Sequence, residues 1–419
     1  MASVLKVLQS ASLVSIGTLI GQLIAFAGSL VLVRVFSPEQ MGVFTTIVAV
    51  ASFISPLASG RLSNAIPLPS HHKSAVTVFK IAVRGSMLVG GLIGIGFLVF
   101  KLVAYEAREL DILWLWGVPV LVVSLVIYSG MNGLAVRLER YFGLALRGVM
   151  YPTLMTGTQI ILGIIGFGAE GLILGMVVGH VITALTIWIP VRNALIEEDA
   201  PSEDWKQLFR DYRHFPLVLG PAGAVNGLAM QLPQIGVTAL FGLAVGGQFG
   251  MMMKILAVPI TLIGQSVGFV YAGQIAKARR AGHNNVRELF DRMSMFLGSI
   301  GIVFAILSYF LAEPVFAWLL GEEWRMAGEF AALYACATAM QLIASPLSQT
   351  LVISERTGQQ LGIDVVRATA LGIAFAVLWS LQVGVYVSVL MIGLVSMVGY
   401  FVLWLINRSA SADIRPSNS

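Results

Sequence analysis

Twelve stretches of this chain run for about 20 residues with no charge or almost none, at roughly 8–33, 41–60, 85–105, 112–133, 148–167, 171–190, 216–240, 246–273, 293–312, 328–353, 365–382 and 384–407. A helix needs ~20 apolar residues to cross a ~30 Å hydrocarbon core, and in lipid each segment must satisfy its own backbone polar groups. The pattern therefore predicts an all-α polytopic membrane protein with about 12 transmembrane helices. Composition excludes the alternative. Only 11% of the 419 residues are charged, against roughly 25% in a soluble domain, so a water-soluble fold could not cover itself. The pairs 148–190 and 365–407 are nearly continuous, each split by a short turn, "GFGAEG" and "LQVGVY".

Small residues recur four apart on likely helix faces, at Gly17/Gly21, Gly90/Gly94 and Gly171/Gly175/Gly179. That spacing is expected where helix backbones approach closely in a bilayer. The first run follows one early lysine, Lys6, and is too long for a secretory h-region of ~7–15 residues, so it reads as a retained first span. The single cysteine, Cys336, leaves no internal disulfide and no cysteine metal site.

Cations set the orientation. With the N-terminus inside, 21 of the 26 Lys and Arg residues fall on inner segments. Arg34, Lys101, Arg108 and Arg325 fall outside, and Lys254 falls within a span. Both termini then face the cytoplasm. The longest polar stretch, 192–215, divides the chain into an N-terminal lobe (1–191, spans one to six) and a C-terminal lobe (216–407, spans seven to twelve), with a cytoplasmic tail at 408–419. An even number of spans per lobe predicts a repeat about an axis along the membrane normal. A faint one exists: "FSPEQMGVF" (36–44) against "FGLAVGGQF" (241–249) shares both phenylalanines and a glycine.

Nothing points to an enzyme. Phosphate-binding glycine loops, His/Cys metal spacing and nucleophile elbows are all missing from the sequence, which calls for no cofactor and no metal. "SHHK" (70–73) reads as a solvated loop, and His180 as a polar contact between helices. The middles of the apolar runs hold no Asp or Glu, Asp364 standing at the inner start of the eleventh. Ion-coupled exporters of cationic drugs usually need a buried carboxylate.

Cations do approach the membrane. Lys254 lies about eight residues, roughly 12 Å, inside the outer end of its span. Arg34 closes the first span outside and Arg61 the second inside. Arg137, Arg140 and Arg147 would share one face if they stood on one helix, forming a cytoplasmic mouth. Snorkelling to the interface accounts for Arg140 and Arg147. For Lys254 two readings stand: snorkelling, or a water-filled cavity holding an anionic group. Gln22, Asn226, Gln231, Gln234, Gln248 and Gln265 favour a wet interior, since buried amides need partners or water.

"LVRVFSPEQMGVF", "SGRLSNAIPLP", "GFGAEGLILGMVVGHV", "YRHFPLVLGPAGAVNGLAMQLPQI", "LAVPITLIGQSVG" and "GEEWRMAGEFAALYA", in that order, resemble the Wzx-type oligosaccharide flippases. These are polysaccharide biosynthesis proteins of the multidrug/oligosaccharidyl-lipid/polysaccharide (MOP) exporter superfamily. The resemblance spans about residues 5–407 and implies two MATE-like six-helix lobes around a V-shaped central cavity. It also implies a substrate, an undecaprenyl-diphosphate-linked oligosaccharide such as an O-antigen or exopolysaccharide repeat unit, moved across the cytoplasmic membrane by alternating access. Membrane lipid, a polysaccharide polymerase and a chain-length regulator would be partners, with no nucleic acid. Carried onto this chain, the cavity cations would be Arg34, Arg61 and Lys254, with Gln22, Asn226 and Gln231 as polar lining. A lipid II flippase or an ion-coupled small-molecule antiporter is the alternative within the superfamily.

Overall fold

The computed structural model describes residues 2–103, 112–197, 204–280, 286–354 and 356–412. Arg108, Asp111, Arg415 and the acidic part of the inter-lobe stretch, 198–203, lie outside the described residues. Thirteen α-helices run in order among those described. They are α1 (Ala2–Val35), α2 (Pro38–Ala58), α3 (His72–Val103), α4 (Ile112–Arg137), α5 (Tyr141–Ile164), α6 (Gly168–Glu197), α7 (Trp205–Asp211), α8 (Gly220–Arg280), α9 (Val286–Leu320), α10 (Arg325–Leu347), α11 (Gln349–Ile353), α12 (Thr357–Ser380) and α13 (Val385–Ala412).

Ten of the described helices are long and apolar enough to cross a membrane. One of these is the 61-residue segment Phe215–Ile275, which breaks at Gly242, where φ is +85° and ψ 174°. The extended left-handed backbone there is open to glycine alone at no steric cost, and it divides α8 into two spans with no loop between them. Gln234 staples the break, its Nε2 donating to the carbonyl of Gly246 at 2.9 Å. The twelfth is α5, 24 residues or about 36 Å long. It carries Arg147, Tyr151, Thr153, Thr156, Thr158 and Gln159 and is not among the ten helices apolar enough to cross by composition alone. Twelve spans thus follow, with turns where the sequence places them: Gly166 and Gly168 take positive φ between α5 and α6, and Gln382 does so between α12 and α13. Phe36 and Phe241, paired in the sequence repeat, both stand immediately before the turn of their hairpin, ahead of the Ser37 cap and the Gly242 break respectively.

Large apolar side chains cover the outside of the helices, among them Leu88, Leu92 and Leu102 on α3 and Ile302, Phe310 and Trp318 on α9. Water would penalise such a surface by about 25 cal/mol per Å²; lipid does not.

The chain separates into two compact units, 1–231 and 232–419. In the first, α1 lies directly on α5. A Cβ at Gly17 would come within 2.3 Å of the Ala145 carbonyl, and one at Gly21 within 1.9 Å of that of Gly148. Both glycine pairs that open the other predicted stripes also face a neighbour, Gly90 and Gly94 meeting Pro119 of α4, and Gly175 and Gly179 meeting Gln159 and Met155 of α5. The start of α8 belongs to this unit and packs on α2, Gly220 against Gly60 and Gly227 against Phe53. In the second unit α10 is the central helix, lying against α9 and α13. Its Phe330, Ala331, Ala335, Leu342 and Leu347 are fully buried or nearly so.

Candidate functional site

The short segment joining α2 to α3 is held by one arginine. Arg137, at the end of α4, donates Nη1 to the carbonyl of Pro67 at 3.1 Å and to that of Pro69. It also donates Nη2 to that of Ser70 at 3.0 Å and Nε to His72 Nδ1 at 3.0 Å. Those bonds give Arg137 a structural task. The chain then turns sharply: Glu139 takes φ +51°, and α5 begins at Tyr141. The three arginines at 137, 140 and 147 therefore do not share a helix face, because a left-handed residue between them ends α4. Arg140 is exposed at the cap of α5, while Arg147 turns inward.

Arg147 does not reach to the interface. Its Cζ sits 5.0 Å over the ring of Tyr128 on α4. Tyr128, Tyr151 of α5 and His180 of α6 form a mutual stack, with centroids 4.8–4.9 Å apart and Tyr151 parallel to His180 within 3°. His180 Nδ1 is 3.1 Å from Ser124 Oγ, the interhelical polar contact expected of it. Ser124 also lines an apolar crevice of about 340 Å³ between α3, α4 and α6. Arg147 makes no hydrogen bond or ion pair with the described residues, and its Nε is wholly shielded.

The six residues carried over from the resemblance fall in different places. Arg34 is exposed in the last turn of α1 and is already engaged within the chain. Gln22 is half-buried one residue past the α1–α5 contact. Arg61 has φ +49° just after α2, and its guanidinium fills the notch left by Gly223 of α8, where a Cβ would meet Nε at 2.5 Å. Asn226 lies one turn beyond Gly223, half-buried and itself engaged, and Gln231 stands half-buried at the end of the unit. The first unit thus gathers Arg61 and Asn226 at the α2–α8 seam.

Lys254 belongs to the second unit. Because the break falls at Gly242, the lysine is 12 residues, about 18 Å, along its span, deeper than the sequence boundary suggests. It is half-buried and its ammonium makes no hydrogen bond or ion pair with the described residues. The buried amides beside it are satisfied within the unit: Gln248 donates to the Glu323 carbonyl at 2.6 Å and accepts from the Ala327 amide at 3.1 Å.

Two charged residues that the sequence reading set on the inner side, at the start of the eleventh span, fall elsewhere. Arg367 and Asp364 are each only 6% exposed and lie well inside α12, not at its mouth. Arg367 donates Nη2 to Tyr400 Oη at 3.2 Å with its Cζ 4.3 Å over that ring. Nearby, Tyr334 donates to Ser396 Oγ at 3.0 Å. The aromatic residues at 128, 334 and 400 were the available signal, each on a helix facing the arginine of its own unit. Among the described residues no group of three His, Cys, Asp or Glu side chains could hold a metal ion.

The fold matches transporters of known structure. An inward-facing multidrug resistance MATE family transporter of the MOP superfamily superimposes with a TM-score of 0.59 at 17% identity, over 95% of this chain and 96% of the other. An outward-facing one gives 0.55 at 19%, over 97% and 96%. A MOP superfamily transporter from Pyrococcus furiosus, described as having a binding pocket of reverse polarity, gives 0.57 at 18%, over 97% and 96%. None of the curated proteins matches the chain in sequence. The model of the polysaccharide biosynthesis protein family matches residues 31–329. The chain is a multi-pass membrane protein of the polysaccharide biosynthesis protein family, built on the transporter fold of the MOP superfamily.

Proposed function

We propose that this chain is a flippase carrying an undecaprenyl-diphosphate-linked oligosaccharide, an O-antigen or exopolysaccharide repeat unit, across the cytoplasmic membrane by alternating access. The observation that carries the reading is a set of three cations, Arg147 and Lys254 within long helices and Arg61 just past the end of α2, whose side chains have no hydrogen-bond or ion-pair partner among the described residues. Charge held out of water without a partner is costly. Such groups are understandable in a protein whose partner is an anion that comes and goes. A diphosphate cannot cross hydrocarbon unaided, and fixed cations replace part of the hydration it loses. In this reading both termini are cytoplasmic, and a polysaccharide polymerase and chain-length regulator take over the product outside.

A second reading has one observation in its favour. Asp364, buried inside α12, is the kind of carboxylate an ion-coupled small-molecule antiporter uses. It stands alone against three cations, so we rank it below.

Deleting the gene is expected to abolish surface glycan and leave its lipid-linked repeat unit on the inner leaflet. Restoring the wild-type chain should reverse both. Lys254→Ala should give normal protein abundance with surface glycan reduced about tenfold, the worth of one lost hydrogen bond to a charged group. Full glycan from the Lys254→Ala chain, or lipid-linked repeat units reaching the outer leaflet in the deletion strain, would sink the reading.

A further inference from the structure

The arginines of this chain are unequally provided for. Arg137 is saturated by loop carbonyls, Arg325 pairs with Glu313 at 2.6 Å, and Arg408 pairs with Asp291 at 2.8 Å. Arg147 carries five N–H donors and meets no acceptor among the described residues. The two phenols beside it can donate as well as accept. The hydroxyls of Tyr128 and Tyr151 also have no hydrogen-bond partner among those residues. No carboxylate there pairs with any member of the cluster. A guanidinium and two phenols, with nothing to accept from them, are complementary to a tetrahedral oxyanion, which offers several acceptors at once and suits a guanidinium bidentately.

Depth selects the source of that anion. Arg147 is the seventh residue of α5, about 9 Å from the helix start. Phe142 and Leu146 beside it are exposed as lipid-facing residues are. A phosphate still tethered to a membrane chain sits near this level without leaving the bilayer, whereas a soluble phosphate would have to be drawn in. We infer that Arg147, Tyr128 and Tyr151 bind the phosphate of a membrane lipid, as the first docking point for the head group of the flippase's cargo. The inference rests on the flippase reading and goes beyond it in assigning the site to α4 and α5. His180 is a positioning residue: it lies flat on Tyr151 and is anchored in turn by Ser124.

The test uses the full-length protein in nanodiscs of a zwitterionic phospholipid, with polyprenyl diphosphate, inorganic pyrophosphate and neutral polyprenol as probes. Polyprenyl diphosphate should bind the wild type and bind Arg147→Gln at least tenfold more weakly, the scale of a lost bond to a charged group. Tyr128→Phe and Tyr151→Phe should each weaken it about threefold to tenfold, and the exposed Arg140→Gln should not. Arg147→Gln should melt close to the wild type, because the uncompensated charge it removes offsets the cation–π contact with Tyr128 that it loses; the two Tyr→Phe variants carry the test should it fold poorly. If wild type binds polyprenyl diphosphate and neither Arg147→Gln nor the two Tyr→Phe variants alter it, the site is wrong while the flippase reading stands. If Arg147→Gln loses only inorganic pyrophosphate, the lipid source is wrong. A wild type that binds polyprenol as well as the diphosphate overturns both.

Discussion

Each unit places an arginine over a tyrosine, and the two arrangements come from corresponding helices. Arg147 and Arg367 stand on the fifth span of their halves, His180 and Tyr400 on the sixth, each pair separated by 220 residues in the sequence. Tyr128 and Tyr334 stand on the fourth, 206 apart. The difference lies in what surrounds the charge. In the second unit the set is largely bonded: Arg367 donates Nη2 to Tyr400, Tyr334 donates to Ser396, and the arginine is only 6% exposed, its Nε alone lacking a partner among the described residues. In the first unit the guanidinium is half-buried, and neither it nor the two phenols beside it is bonded within the described chain. Corresponding positions thus hold a cluster bonded through one arginine nitrogen in one half and a cluster with no such bond in the other. The comparison teaches that a cation inside a bilayer is informative only once its partners are counted.

The sharpest way to break the comparison is to destroy the frame of the first unit alone. Gly21→Leu would drive a side chain into the carbonyl of Gly148, 1.9 Å from where its Cβ must go. No folded protein should accumulate, since backbone cannot be repacked as a side chain can. Normal abundance on a membrane immunoblot would show that α1 does not lie on α5.

Next in size is Arg137→Ala, which strips the 67–72 segment of its clamp. A loss of about 3 kcal/mol is expected, read as a lower melting temperature in detergent, because several carbonyls lose a charged donor together. The smallest effect tests the two arginines directly. Arg367→Gln should cost about 2 kcal/mol, having lost a hydrogen bond and a cation–π contact, whereas Arg147→Gln loses only the cation–π contact with Tyr128 while shedding an unpaired charge, and should cost less. Equal destabilisation by both would mean that the clusters play the same part.

Much of the fold was legible in the sequence. The spans, the two tight turns and the glycine stripes follow from segment length and spacing, which lipid enforces strongly. The α8 break is marked by nothing more than a Phe, a Gly and a faint repeat. The site was less legible, because hydropathy reports depth and not which way a side chain points. Arg147 reads as a snorkelling residue until Tyr128 is seen beneath it. The Arg137–Arg140–Arg147 mouth fails on one residue, Glu139, whose left-handed backbone no composition rule marks. Asp364 and Arg367 were placed at a helix mouth because the apolar run starts after them, yet α12 begins earlier, at Thr357.

Main chain touching main chain leaves no slack. Gly17 meets Ala145 and Gly21 meets Gly148 on either side of Arg147, so the unbonded guanidinium is mounted between two close backbone contacts. Whatever displaces α1 must carry that charge along with it, as a handle turns its bolt. Tuning of cargo preference is therefore left to the rings at 128 and 151, since the spacing between these two helices has nowhere to go.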